Sequence, residues 1–356
     1  MADAPPQPFR IALIVAPGFN LAATTAFVDP FRAANYLDGR PLFRWRLLSA
    51  AGGETRASNG FAVATAPLAE AETPDLGIVS TSWTPELHAG GAVAATLRRW
   101  DRFGAALGGL DTGAFVLAAA GLLSGRRATT HYEHIDSLAE LHPDIAVSEA
   151  LYVVDGDRLT AAGGAAAGDL ALQLLRALRG AALANAAARY VFHDRLRPTD
   201  SPQNPEGAEP LGPAAPARLR AAIRCMERHL EEPAAIPSIA AEAGLSQRQL
   251  ERLFGVWVGK SPLRYYRDIR LDRARSLVTQ TEMPLWEIGV ACGFASPEHF
   301  SRAYRARFGA PPRTDRVEGR VPFEFRAWPM HAGGGAERAP SHQKTDAPVS
   351  RTRPRA

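Results

Sequence analysis

The stretch GGLDTGAFVLAAAGLL, residues 108–123, has the pattern of a sharp turn between a β-strand and an α-helix. Gly109 and Gly113 flank one central side chain, Asp111. In many α/β enzymes this spacing presents a nucleophilic Ser or Cys at the start of the helix. Residues 1–216 contain no cysteine, so no displaced thiol can replace the missing nucleophile. The stretch therefore predicts an α/β domain with a nucleophile elbow but no nucleophile.

Strand and helix patterns alternate around this turn. Apolar runs predict strands at residues 9–17, 44–50, 75–83, 103–110, 126–132, 150–157 and 158–164. Helical patterns lie at residues 21–36, at 113–123 and, as one long helix, at about 168–192. Continuous apolar strands that alternate with helices are typical of a parallel sheet with helices on both faces. We expect that architecture in the first part of the chain.

Charge divides the chain into two parts. Residues 1–216 carry 17 basic and 22 acidic side chains, whereas residues 217–312 carry 15 basic and 10 acidic ones. A basic module next to an acidic one indicates a polyanionic partner for the basic module. Residues 195–216 contain six prolines, which is typical of a linker. We expect a flexible N-terminus at 1–8, domains at 9–194 and 217–315, and a disordered basic tail at 316–356.

Several protein classes are disfavoured by composition. The chain has 356 residues and two cysteines, Cys225 and Cys292, too few for a disulfide framework. The sequence shows no signal-peptide pattern and no apolar run of membrane-spanning length. His131 and His134 stand three apart without a third ligand, so we expect no metal and no cofactor. These features predict a cytoplasmic protein associated with the nucleoid.

The basic module contains a helix-turn-helix pattern at residues 236–259. Gly244 takes the tight turn, and Ser246 begins the second helix with Gln249 three residues later, which is a capping box. The outer face of such a second helix can enter the major groove of DNA. The predicted DNA-contacting residues are Ser246, Gln247, Arg248, Gln249 and Arg252.

A second unit at residues 284–309 repeats this design, and a connecting helix is predicted at 262–278. The pattern places Ile288 and Val290 inside the unit and Gly293 at the turn. Pro297, directly after Ser296, suits the first position of a helix. The predicted DNA-contacting residues of this unit are Ser296, Glu298, His299, Arg302 and Arg305.

This module resembles the AraC/XylS-type DNA-binding domain. The resemblance is carried above all by GFASPEHFSRAYRARFGAPP, residues 293–312, and spans most of residues 217–315. Tyr304 stands where that pattern usually has Phe, and Pro311 where Ser or Thr is common. The resemblance implies sequence-specific binding to double-stranded operator DNA at a promoter. We also expect a homodimer, with RNA polymerase as a further candidate partner.

Residues 9–181 resemble the ThiJ/PfpI-like domain, which has a class I glutamine amidotransferase-like fold, and most closely the version found in GlxA-type regulators. AFVDPFRAAN at 26–35 and DTGAFVLAAAGLLSGRRATTH at 111–131 carry this resemblance. Catalytic relatives combine the elbow Cys with an acid on the first turn and a nearby His. Here residues 19–25 contain no carboxylate, and only His131 remains. We therefore expect a sensor and not an enzyme; a hydrolase or amidase, or a domain that only dimerises, are the alternatives.

Asp111 has two interpretations. An Asp at a helix N-terminus can cap free N–H groups and contribute ~0.5–2 kcal/mol. Alternatively, Asp111 and Thr112 form the floor of a ligand pocket, with Trp83 and His131 on its walls and Asn20 at its rim. The carboxylate would then pair with an ammonium or guanidinium group beside an aromatic ring. The resemblance implies an activator that senses a betaine-, carnitine- or arginine-like amine.

Overall fold

The apolar segments of the first domain form a central sheet in the computed structural model, which describes residues 7–203 and 215–318. The strands are β1 Phe9–Val15, β2 Phe43–Ser49, β3 Gly53–Arg56, β4 Ala62–Pro67, β5 Leu76–Thr81, β6 Ala106–Asp111, β7 Arg127–Ala128, β8 Ala146–Val147, β9 Tyr152–Asp155 and β10 Arg158–Ala161. Eight of them form one sheet in the order β3-β4-β2-β1-β5-β6-β10-β9, while β7 and β8 pair separately.

The centre of the sheet is parallel, as the sequence predicts, and its two edges are not. From β4 through β2, β1, β5 and β6 to β10, every neighbouring pair is parallel. β3 pairs antiparallel with β4, and β9 pairs antiparallel with β10. Both edge pairs are hairpins whose turns contain a glycine of positive φ, Gly60 and Gly156. A short turn reverses the chain there, whereas a parallel pair needs a long crossover.

Helices cover both faces of this sheet. They are α1 Leu21–Asp38, α2 Gly91–Arg102, α3 Gly113–Ala119, α4 Ile135–Leu141, α5 Ala165–Arg179 and α6 Ala181–Tyr190. One core packs Phe27 and Phe31 of α1 with Leu170 of α5, and another packs Leu97 of α2 with Val116 of α3. The parallel sheet with helices on both faces is confirmed.

The single long helix predicted at 168–192 is wrong, because the structure has two helices there. Gly180, at φ +89°, ends α5, and α6 begins at the next residue. Glycine adopts this conformation without a steric penalty, so it can divide a continuous helical pattern. The break lets α6 turn back against α1, where Ala184 and Ala187 are buried.

The first part of the predicted linker packs on the α/β domain. Asp169 is fully buried in α5, and its carboxylate accepts hydrogen bonds from the backbone N–H of Arg197 at 3.0 Å and from its Nε at 2.8 Å. The side chain of Gln203 donates to the Thr129 hydroxyl at 2.9 Å. Residues 1–6, 204–214 and 319–356 lie outside the described residues, so the flexible N-terminus, the linker and the disordered tail stay predictions.

The second domain consists of helices. They are α7 Ala217–Arg228, α8 Ile236–Glu242, α9 Gln247–Trp257, α10 Pro262–Gln280, α11 Leu285–Ala291, α12 Pro297–Phe308 and α13 Pro312–Glu318. The connecting helix α10 contributes Tyr266 to the core of the first unit and Leu271 and Leu277 to the core of the second. It therefore fixes the separation of the two units. α13 extends past residue 315, the boundary predicted for this domain.

The predicted interior of the second unit needs one correction. Ile288 is fully buried, but Val290 is 56% exposed. Gly289 is buried instead, on the side of α11 that packs on α12, where a Cβ would be in ordinary van der Waals contact with the Phe300 ring at 3.5 Å. The next residue, Val290, lies about 100° further around the helix, which places it on the solvent side.

Tyr304, where the family pattern usually has Phe, has a stabilising role that makes Tyr304→Phe a test of this fold. Its buried hydroxyl donates to Asp315 at 2.8 Å, and Arg275 Nε donates to the same carboxylate at 2.8 Å. We expect Tyr304→Phe to lower the free energy of unfolding by about 1–3 kcal/mol, since it removes a hydrogen bond to a buried charged group. Urea unfolding measures the change.

Tyr265→Phe is the matched control, because within the described ranges its hydroxyl forms no hydrogen bond. The same substitution there should change stability by less than about 0.5 kcal/mol. Equal losses in both variants would contradict the role assigned to the bond between Tyr304 and Asp315.

Among the residues that the structure describes, no helix is both long and apolar enough to cross a membrane.

Candidate effector site and nucleic-acid interface

The predicted elbow lies between β6 and α3. Asp111, the last residue of β6, has φ +61°, a left-handed conformation that Asp tolerates better than most residues. A Cβ at Gly109 would lie 2.6 Å from the carbonyl carbon of Gly113, and one at Gly113 would overlap with the Val79 carbonyl oxygen. Both glycines are therefore needed for the tight turn that presents Asp111.

The carboxylate of Asp111 is enclosed by neutral hydrogen-bond donors. It is 5% exposed. Asn20 Nδ2 donates to Asp111 Oδ2 at 2.6 Å, while Asn20 Oδ1 caps α1 by accepting from the N–H of Ala23 at 3.0 Å. Ser82 supplies a further side-chain hydrogen bond. Burial raises the pKa of Asp111 from 3.8 to about 6, although the positive charge of a protonated His131 and these hydrogen bonds act in the opposite direction.

The structure does not show Asp111 as a helix cap. Thr112, not Asp111, is the residue that precedes α3, and no side-chain capping bond forms at this helix end in the described part of the chain. The hydrogen bonds of the Asp111 carboxylate go to Asn20 and Ser82, which lie in the loops after β1 and β5. The capping interpretation therefore loses its geometric basis, and the pocket interpretation stays a prediction.

Thr112 directly follows Asp111, and its hydroxyl bonds to the loop that contains Trp83. The Thr112 hydroxyl is fully buried and donates to the carbonyl of Ser82 at 2.5 Å, so its proton is already used within the protein. Trp83 follows Ser82 directly and is half-buried. Thr112 therefore holds the loop that carries Trp83, and contact of either residue with a ligand remains a prediction.

His131 is joined to the elbow through the backbone. Its N–H donates to the carbonyl of Asp111 at 3.3 Å, and the Thr130 hydroxyl donates to the same oxygen at 2.9 Å. The His131 ring lies 4.5 Å from the Tyr132 ring, and its Nδ1 lies 3.8 Å from the Glu133 carboxylate. The short turn that begins at His131 thus starts beside Asp111 and leads directly into α4.

His134 does not join His131 in a metal site. Burial lowers the pKa of His134 to about 3, so its imidazole is neutral at physiological pH. Its ring packs edge-on against Phe115 at 5.9 Å. In the described ranges no group of three His, Cys, Asp or Glu side chains is placed to hold a metal ion.

The residues predicted in α9 form an exposed surface with a well-defined start. Ser246 Oγ accepts from the N–H of Gln249 at 3.3 Å, and Gln249 Oε1 accepts from the N–H of Ser246 at 2.8 Å, which confirms the capping box. Gln247, Arg248 and Arg252 are exposed along the same helix. The side chains of Ser246 and Gln249 thus stabilise the helix end, and DNA contact by this whole set stays a prediction.

The second unit presents an equivalent surface on α12. Ser296 caps this helix by accepting from the N–H of His299 at 3.2 Å, and Pro297 occupies its first turn. The other predicted residues are exposed on the helix: Glu298, His299, Arg302 and Arg305. Phe300 and Tyr304 face the core, as the spacing predicts. Both second helices therefore expose the side chains that the sequence predicts for DNA contact.

Three residues of the elbow site are missing from the sequence prediction. Ser82 and Glu133 both influence the Asp111 carboxylate, the first by a hydrogen bond and the second by its negative charge. A Cβ at Gly163, which has φ +107°, would lie 3.3 Å from the carboxyl carbon of Asp111. The Gly163-Gly164 pair at the end of β10 was a usable signal, because paired glycines after a strand allow a close approach.

An α/β elbow domain with Asp in place of the usual Ser or Cys, followed by two helix-turn-helix units, is the arrangement of a class of DNA-binding transcription regulators. Residues 10–177 match the DJ-1/PfpI family, and residues 239–317 match a helix-turn-helix domain. The chain belongs to the AraC-family transcriptional regulators that carry this domain pair.

Three relatives share the domain pair across most of their length. The chain is 41% identical over 305 residues to the HTH-type transcriptional regulator CdhR of Pseudomonas aeruginosa, covering 85% of the chain and 90% of the relative. It is 36% identical over 325 residues to GbdR of the same species, covering 88% and 86%. It is 37% identical over 305 residues to GlxA of Rhizobium meliloti, covering 85% and 94%. All three are named as transcriptional regulators.

Proposed function

We propose that this regulator is a homodimeric activator whose α/β domain binds a small cationic amine at the elbow and performs no catalysis. The observation that carries the proposal is the buried carboxylate of Asp111. Residues 1–216 contain no cysteine, so the thiolate chemistry of catalytic relatives has no nucleophile in this domain. A sensor can use the side chain at the elbow to bind a ligand, and it does not need to convert that ligand chemically.

This site favours a positively charged ligand. Among the described residues, the one cationic group that acts on the Asp111 carboxyl is His131, while Glu133 adds negative charge nearby. A carboxylate that is 5% exposed is poorly solvated, so a ligand cation gains more from pairing with it than it would at the surface. Trp83 directly follows Ser82, and His131 acts on the Asp111 carboxyl; an aromatic face contributed by either residue would stabilise a quaternary ammonium group.

The experiment is a thermal-shift screen of the full chain with choline, glycine betaine, carnitine and arginine. An uncharged compound of the same shape as choline, 3,3-dimethylbutanol, is the matched control ligand. We expect at least one cation to raise the melting temperature and to increase transcription from the operator, and the uncharged control to do neither. Equal stabilisation by charged and uncharged compounds, or stabilisation by none, would contradict the proposal.

The α/β domain and the DNA-binding domain meet at α4 and α10. Asp136 Oδ2 lies 3.4 Å from Nε of Arg273, and the Ser137 hydroxyl donates to Gln280 Oε1 at 2.6 Å. Arg273 Nη1 in turn donates to the carbonyl of Ala291, the last residue of α11. These contacts connect the sensor to the first helix of the second helix-turn-helix unit.

We infer that this contact carries the effector response. The turn from Thr130 to His134 begins with two hydrogen bonds to the Asp111 carbonyl and ends where α4 starts. A ligand that pairs with Asp111 can therefore shift the balance between two placements of α4 on α10. Such a response requires that the effector bind one placement more tightly than the other.

The double variant Asp136→Asn with Ser137→Ala tests the coupling. It removes both side-chain contacts to α10 without touching the Asp111 site, so effector affinity in the absence of DNA should be unchanged. The factor by which the effector changes operator affinity should fall toward one from a starting value of about 5–150. Fluorescence anisotropy with labelled operator, with and without effector, measures this factor.

Glu140→Gln, an exposed charge on the same helix, is the matched control and should keep the full coupling factor. A double variant that responds to the effector as strongly as the wild type would show that the signal takes another route.

A further inference from the structure

The chain crosses the surface of the α/β domain once more before it reaches the second domain. We call residues 193–203, which lie between α6 and residue 204, the strap. Its first attachment is ionic, since the fully buried carboxylate of Asp169 accepts from the N–H of Arg197 at 3.0 Å and from its Nε at 2.8 Å. The carbonyl of Arg197 accepts from the Tyr152 hydroxyl at 2.8 Å. Charged partners and several hydrogen bonds make this the stronger attachment of the strap.

The second attachment lies at the end of the strap and uses neutral groups. Residues 201–203 pair antiparallel with residues 149–151 through two backbone hydrogen bonds of 2.8 and 2.9 Å. The side-chain nitrogen of Gln203 donates to three oxygens, which are the carbonyl of Thr130 at 2.8 Å, the hydroxyl of Thr129 at 2.9 Å and the carbonyl of Ala150 at 3.1 Å. Because Thr129 and Thr130 are fully buried, the Gln203 amide satisfies oxygens that water does not reach.

Thr130 joins this second attachment to the elbow. Its hydroxyl donates to the carbonyl of Asp111 at 2.9 Å, while its own carbonyl accepts from Gln203. The next residue, His131, donates its N–H to the same Asp111 carbonyl at 3.3 Å. A single residue therefore lies between the backbone of the elbow and the side chain that ends the strap.

Loss of the Gln203 hydrogen bonds has two consequences for the second domain. With Arg197 still attached, residues 198–203 join the linker and add up to about 20 Å of extended chain. The effective concentration of a tethered domain falls with about the three-halves power of linker length, so this consequence is only roughly twofold. The other consequence concerns the turn that Gln203 holds, because this turn leads directly into α4, whose Asp136 and Ser137 contact α10. The position of the turn therefore matters more than the length of the linker.

We propose that Gln203 is a positioning residue for the effector response, because its amide holds the turn that connects Asp111 to α4. The proposal rests on the effector site and the α4–α10 contact of the proposed function. Without these hydrogen bonds the turn gains freedom between the elbow and α4, so binding of the effector is no longer coupled to the second domain. The effector itself still binds, since the Gln203 amide bonds to the turn and to Ala150 and not to the Asp111 carboxylate.

Gln203→Met in the full chain is the test, because Met has nearly the same length as Gln and no N–H donor. Tyr152→Phe is the matched control, since it also removes a hydrogen bond to the strap, but at Arg197 and away from the turn. Without effector, amide hydrogen exchange in residues 131–141 should become at least about tenfold faster in Gln203→Met and stay within about twofold in Tyr152→Phe. Unchanged protection of this segment in Gln203→Met would overturn the proposal.

The effector response distinguishes a positioning role from a merely structural one. Choline, glycine betaine, carnitine and arginine are tested, and the one that stabilises the wild type most is used. Gln203→Met should keep its affinity for this cation within about threefold in the absence of DNA. The factor by which the cation changes operator affinity should fall below about 2, whereas Tyr152→Phe should keep the wild-type factor.

Two results with the cation would overturn the proposal: a wild-type coupling factor in Gln203→Met, or an equal loss of effector affinity and of coupling. If none of the four cations stabilises the wild type, the proposed effector is wrong. The exchange measurement, which needs no effector, then decides by itself whether Gln203 holds the turn. Failure of the effector and failure of the positioning role are thus separate results.

Discussion

Asp111→Asn should abolish the effector response of this regulator while the domain stays folded. Asn is nearly the same size, tolerates the left-handed backbone of this position and can still hydrogen-bond to Asn20 and Ser82. It has no negative charge, so a cationic ligand loses its partner inside a poorly solvated site. We expect effector affinity to fall at least about 100-fold, in line with the loss of one partner of a buried charged pair. Titration of effector against operator binding measures the loss.

The same substitution should stabilise the protein without ligand, and the gain should depend on pH. The folded-state pKa of Asp111 is raised from 3.8 to about 6, so its protonated form is the more stable one in the fold. The stability that this group contributes is complete below pH 3.8 and is lost as pH rises through 6. A shift of this size corresponds to about 3 kcal/mol. The free energy of unfolding of Asp111→Asn should therefore be higher than that of the wild type. This difference should grow from pH 4 to pH 6 and stay constant above pH 7.

The ligand should reverse this dependence in the wild type. A quaternary ammonium effector binds the ionised carboxylate, so its affinity should fall by up to about tenfold per pH unit below pH 6 and level off above it. Glu140→Gln, which removes an exposed carboxylate on α4 outside the elbow site, should keep the response. If Asp111→Asn responds to effector as the wild type does, Asp111 is not the anionic anchor.

The sequence predicts the elbow well because a few residues determine it. Gly109 and Gly113 have no room for a side chain, and Asp111 is one of the few residue types that accept the left-handed backbone between them. The side chains that act on Asp111, such as Ser82 and Glu133, lie in other loops. No sequence pattern around these residues predicts that role. Their positions depend on which strands are adjacent in the sheet, and that is a property of the whole fold.

The incorrect predictions from the sequence also arise where the whole fold, and not the local sequence pattern, decides the structure. A helical pattern through residues 168–192 is continuous in hydrophobicity, and only the conformation of Gly180 divides it. Val290 has the spacing of a core residue, but α11 packs with Ile288 and Gly289 toward the core and leaves Val290 exposed. Periodicity predicts which residues prefer burial, whereas local backbone geometry decides which of them are buried.

Arg252→Ala and Arg302→Ala should each weaken operator binding about 10- to 100-fold and should relax sequence preference at different base pairs. Both side chains are exposed on the second helix of their unit, and within the described ranges neither forms an ion pair, so each is available to DNA. A bidentate contact between Arg and guanine provides about 1–3 kcal/mol of discrimination. Because α10 keeps the two units apart, the losses of operator-binding free energy in the two single variants should add in the double variant.

Binding to a library of randomised operators distinguishes base contact from phosphate contact. A base-reading Arg loses preference at its own position, whereas a phosphate-binding Arg loses affinity uniformly and lowers the salt slope by about one. Arg44→Ala, an exposed arginine on β2 of the α/β domain, is the control and should leave operator binding unchanged. Tight binding by both variants with unchanged sequence preference would mean that α9 and α12 are not the helices that read DNA. Uniform losses with a reduced salt slope would place these two arginines on the phosphates and assign base reading to their neighbours on the same helices.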